Sequence, residues 1–67
     1  DKMRVQLCWK KRGKPIICRL FYMPVKEARK AFKEMDNEEI VLAYLRRWEG
    51  YEYICHKVLK DNERRHS

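Results

Sequence analysis

With 67 residues, 45% of them apolar and 40% charged, the chain is expected to form one domain near the lower size limit for a single core. That balance suits a compact domain with a dense charged shell and argues against a disordered chain. The longest uncharged apolar run, Ile40 to Leu45, is far short of the roughly 20 residues that cross a bilayer.

The formal charge of +7 is unevenly placed. Residues 1–35 hold eleven Lys and Arg against three acids, and residues 36–67 hold six against seven. The excess is therefore regional, and it points to an anionic partner: nucleic acid, an acidic protein surface or anionic lipid. A plain solubility charge is the competing explanation. Three cysteines, Cys8, Cys18 and Cys55, lack paired spacing. With no signal-peptide pattern in the first fifteen residues, they read as packed thiols of a cytoplasmic protein.

In chain order, residues 3–23 read as a β-hairpin turning at Arg12-Gly13, where glycine supplies the positive φ of a tight turn. Folding there pairs Trp9 with Ile16, Leu7 with Cys18, Val5 with Leu20 and Met3 with Tyr22, an all-apolar face. The other face then carries Arg4, Gln6, Cys8 and Lys10 beside Ile17, Arg19 and Phe21. Pro24 suits the first position of a helix over roughly 24–36, with Val25, Ala28, Phe32 and Met35 on its apolar stripe. Asp36-Asn37 can end it, since Asn tolerates a left-handed conformation.

Residues 39–59 have two readings. As a hairpin turning at Glu49-Gly50, Val41 faces Val58, Ala43 faces His56, Leu45 faces Ile54 and Arg47 faces Glu52. As a helix, Ile40, Val41, Tyr44, Leu45 and Trp48 form a stripe, with Asp36 and Glu39 as a capping box. The aromatic and β-branched segment 51–58 favours the hairpin. The expected fold is therefore α+β, ββαββ: a four-stranded sheet of two hairpins with one amphipathic helix covering one face. One β-hairpin plus two or three helices is the alternative. The domain is expected over 1–59, followed by a charged, frayed tail over 60–67.

Catalysis has little to work with. Thr is absent and the only Ser is Ser67, which leaves a Cys–His pair as the remaining nucleophile. Cys55 and His56 are adjacent, so a strand sends them to opposite faces. No glycine-rich phosphate loop is present. Cys8, Cys18, Cys55 and His56 have zinc-ligand chemistry without zinc-ligand spacing, so neither a metal nor a cofactor is expected.

Two binding features remain. The stretch Lys10, Lys11, Arg12, Gly13 and Lys14 places cations at a hairpin tip, where counterion release favours phosphate contact. The sheet face opposite the helix is expected to interleave Arg4, Arg19 and Arg46 with Phe21, Tyr44, Trp48 and Tyr53, a composition suited to stacking bases and pairing phosphates. The leading expectation is a non-catalytic nucleic-acid-binding module. The alternative is a small regulatory protein that binds an acidic partner or homodimerises through the aromatic face, with Trp48, Tyr51 and Phe21 as anchors. Membrane association is not expected, because the apolar face of the helix is needed to cover the sheet.

Overall fold

A computed structural model describes residues 1–62, and residues 63–67 of the expected tail lie outside the described residues. The chain folds as ββαββ: β1 (Met3–Lys11), β2 (Ile17–Met23), α1 (Val25–Met35), β3 (Ile40–Trp48) and β4 (Tyr53–Asp61). Residues 40–48 are thus strand, as the hairpin reading expects, and β4 continues through Lys60 and Asp61. Among the described residues no helix is long and apolar enough to cross a membrane.

The four strands form one antiparallel sheet in the order β2-β1-β3-β4. Both β2 and β3 run antiparallel to β1, so they share a direction on either side of it. The link between them must pass over β1, and α1 is that link. Its apolar residues Ala28 and Phe32 close on Val5, Leu7, Ile40, Ala43 and Leu45, which form the core. At about 25 cal/mol per Å² of apolar surface removed from water, this one cluster is the main stabilising term of so small a domain. The edge strand β2 is exposed along nearly its whole length.

The helix starts after Pro24, which occupies the N-cap rather than the first helical turn. Its other end differs from expectation in two ways. Met35 is exposed rather than part of the apolar stripe. Asn37 is not left-handed, because positive φ occurs only at glycine among the described residues. Instead Asn37 Oδ1 accepts the Glu39 amide at 2.8 Å, a local turn that leads into β3. Lys60 Nζ donates to Asp36 Oδ1 at 3.0 Å and to the Asn37 carbonyl at 2.9 Å, so β4 holds the end of the helix.

The first hairpin turns where expected, with the Lys14 amide donating to the Lys11 carbonyl at 3.0 Å and Gly13 at φ 74°. Its register is one residue away from the expected one. Trp9 faces Ile17, Leu7 faces Arg19, Val5 faces Phe21 and Met3 faces Met23. Pro15 supplies the physical reason: it has no amide to donate, and one residue is absorbed between the turn and the resumed ladder. Cys8 then lies directly opposite Cys18, and the two form a disulfide. The expectation of three packed thiols on different faces fails, and with it the main support for a reducing compartment. Cys55 is free and exposed.

The second hairpin also turns near its glycine, but with a longer loop. The Glu49 amide donates to the Glu52 carbonyl at 2.9 Å around Gly50 at φ 97°. Register shifts at Ala43/Tyr44 and Leu45/Arg46 leave Leu59 and His56 as the extra residues of β4. Trp48 faces Tyr53, Arg47 faces Ile54 and Tyr44 faces Val58, in place of the four expected pairs. The expected Arg47–Glu52 link is replaced by an ion pair between Arg47 and Glu49.

Thiol counting tests this register. Non-reduced protein is expected to offer one reactive thiol, Cys55, and three after reduction. Opening the link, which spans a sequence separation of 10, should lower stability by about 3 kcal/mol in denaturant titrations. Three reactive thiols before reduction would contradict the pairing.

Candidate nucleic-acid interface

Alternation along the strands assigns every side chain of the sheet to one of two faces. The face away from α1 carries Arg4, Gln6, Cys8 and Lys10 from β1, flanked by Tyr22, Leu20 and Cys18 from β2. On the other side of β1 it carries Tyr44, Arg46 and Trp48 from β3, then Val58, Cys55 and Tyr53 from β4. Cross-strand rows follow: Tyr22, Arg4, Trp48 and Tyr53 at one end, then Leu20, Gln6, Arg46 and Cys55, then Cys18, Cys8, Tyr44 and Val58.

The first row forms a cluster. The Arg4 guanidinium lies 5.9 Å from the centre of the Trp48 ring, and Trp48 meets Tyr53 with ring centres 4.9 Å apart and planes tilted by 57°. One row inward the Arg46 guanidinium lies 5.3 Å from the Tyr44 ring. Each guanidinium sits within range of a ring face, an attraction of about 0.5–1 kcal/mol at an exposed site. The cost of ordering long side chains is thereby partly met before any ligand arrives. Below them the centre of the face is closed by Cys8, fully buried under its disulfide.

Of the expected site residues, Arg4, Lys10, Arg46, Tyr44, Trp48 and Tyr53 share this open face. Arg19 and Phe21 do not: the one-residue change of register turns them to the helix side, opposite Leu7 and Val5. The same change brings Tyr22 and Leu20 onto the open face, where they are 67% and 62% exposed. Sequence reasoning missed Tyr22 for that reason, and the opposition of Cys8 to Cys18 was the signal that would have found it. The expected dimer anchors are likewise scattered, with Trp48 on the open face, Phe21 on the helix side and Tyr51 in the β3–β4 loop.

Lys11, Arg12 and Lys14 are exposed at the β1–β2 turn, at the other end of the sheet from Arg4 and Trp48. Arg4 and Lys11 are seven strand positions apart, which corresponds to about 23 Å. The turn is tied to the start of β3, because the Arg12 amide donates to the Glu39 carbonyl at 2.9 Å. Lys11 Nζ stands 3.7 Å from a Glu39 carboxylate oxygen, so part of the tip charge is spent within the molecule. Arg12 and Lys14 are the better placed cations of the tip.

No family model matches the chain, and no curated protein or solved structure matches it.

The preformed cation–ring contact can be tested without a ligand. A double-mutant cycle on Arg4→Ala and Trp48→Ala, read by denaturant unfolding, is expected to give a coupling of about 0.5–1 kcal/mol. Additive effects would show that the two side chains do not interact.

Proposed function

We propose that the chain is a non-catalytic module that binds single-stranded nucleic acid across the open face of its sheet. The observation that carries this reading is the arginine–aromatic cluster of Arg4, Trp48 and Tyr53, continued by Arg46 and Tyr44, on the face the helix leaves uncovered. Flat rings and guanidinium planes offer stacking surfaces to any base. Lys10 on the same face, with Arg12 and Lys14 at the turn, extends the positive surface along the backbone of a bound strand. A single strand is favoured over a duplex because its bases are free to stack on such a platform. The hydroxyl-poor composition is consistent with binding rather than turnover.

A second reading has its own observation. The same face exposes Leu20, Tyr22 and Val58, the last at 54%, and apolar surface of this kind suits a second copy of the chain. Light scattering at high micromolar concentration separates the two. A monomer that binds single strands supports the first, and a stable dimer that binds none supports the second. A cytoplasmic location is compatible with either only where Cys8 and Cys18 can remain bonded or the face survives their reduction.

The test is an anisotropy titration with labelled single-stranded and duplex oligonucleotides. A strand held by about four cations should lose roughly 50-fold in affinity between about 50 and 200 mM salt. Trp48→Ala should cost about 1–3 kcal/mol, while Phe21→Ala on the helix side should leave affinity unchanged. Salt-independent binding, or equal losses in the two variants, would contradict the proposal.

A further inference from the structure

Because α1 is seated on β1 and β3, its flank and the helix-side face of β4 enclose a groove of about 740 Å³. Its apolar lining is Phe32, buried from the helix, and Leu59, packed against the core from β4. One wall is a cationic stripe at helical spacing, Lys26, Arg29, Lys30 and Lys33, about 10 Å long. The facing wall adds Lys57. None of these five cations forms an ion pair among the described residues. Two carboxylates also line the groove, Glu27 and Asp36, and Asp36 is already taken by Lys60.

A solvated helix face needs no such arrangement. Glu27 and Glu34 stand three before and four after Lys30, yet neither forms an ion pair among the described residues, and of the charged α1 residues that line the groove only Glu27 is acidic. Half-buried Leu59, with the 5% of Phe32 that stays exposed, gives a ligand a small apolar contact, and the surrounding lysines favour carboxylates at its rim. The groove lies on the opposite side of the sheet from the arginine–aromatic cluster, so both sites can be filled at once.

We propose that this groove docks an acidic peptide segment of a partner protein, seating an apolar side chain over Phe32 and Leu59 and setting its carboxylates against the α1 stripe and Lys57. The docking site stands independently of the open sheet face, and only the adaptor role rests on the nucleic-acid reading of that face. Together the two sites make the chain an adaptor between a nucleic acid and an acidic protein segment, with the two ligands held on opposite faces.

The experiment uses a short fluorescein-labelled peptide of glutamates with leucines at i and i+4, and a leucine-free polyglutamate of the same charge. Lys30→Glu combined with Lys57→Glu should weaken the leucine peptide roughly tenfold or more. Lys14→Glu at the hairpin turn, with circular dichroism confirming that all variants fold, should leave it within about twofold. Polyglutamate should bind the unaltered protein markedly less well than the leucine peptide. Equal binding of the two peptides would overturn the proposal, as would equal sensitivity to the turn variant. It would also fall if single-stranded oligonucleotide or phosphatidylserine vesicles lost as much affinity as the peptide on the Lys30/Lys57 change, since the groove would then be a phosphate site.

Discussion

The pairing of β1 with β2, pinned where Cys8 meets Cys18, is the constraint on which the rest of the molecule depends. In an antiparallel sheet a slip of one residue sends a strand's side chains to the other face. With Cys8 opposite Cys18, Tyr22 and Leu20 join Arg4 on the open face, while Phe21 and Arg19 fall on the helix side. β1 is also buried on both faces at its middle, through Leu7 towards the helix and Cys8 towards the disulfide. A central strand fixed in this way sets the register of β3 on its other side, and so positions Tyr44, Arg46 and Trp48.

The arrangement separates two kinds of chemistry. Topology requires the helix to cross β1, which commits one face of the sheet to the core and leaves the other open. On the open face Trp48 and Tyr44 each have an arginine partner and Trp48 also packs on Tyr53, so half-buried rings present stacking surface beside a charged group. On the covered side, the helix is too narrow to reach β4 fully, and its cationic flank becomes one wall of a groove. Most of the positive charge of the first half of the chain is thereby divided among three places: the open face, the β1–β2 turn and the flank of α1, with Arg19 on the helix side of β2. Glu39 moderates the second of these, and Asp36 is bound to Lys60, where it holds the helix end without drawing on the flank.

Much of the fold was legible in the residues. Glycines at 13 and 50 mark both turns because each adopts a positive φ. Ala28 and Phe32 mark the buried stripe of the helix, and the aromatic, β-branched run after residue 50 marks the last strand. Register was less legible, for identifiable reasons. Counting outward from Arg12-Gly13 takes no account of Pro15, which cannot join the ladder, and the all-apolar pairing it yields is attractive enough to mislead. In the second hairpin the four-residue loop and two bulges place His56 and Leu59 out of alternation, which no periodicity reveals. Arg4, Lys10, Tyr44, Arg46, Trp48 and Tyr53 were expected on the face where they lie, because alternation depends on their own strand. Arg19 and Phe21 on β2 were not, because their face depends on pairing. The groove between α1 and β4 was invisible in the sequence, since it arises from strand order.

The central claim is that a single strand lies on the open face and nowhere else on the sheet. The most direct measurement is a set of nitrogen–proton correlation spectra recorded while an unlabelled single-stranded oligonucleotide is added. The account predicts shifts in the Trp48 indole and in the amides of Arg4, Tyr22, Tyr44 and Arg46, with the amides of α1 unmoved. Shifts concentrated on α1 and β4 around Lys30 and Lys57, with the Trp48 indole unchanged, would contradict it.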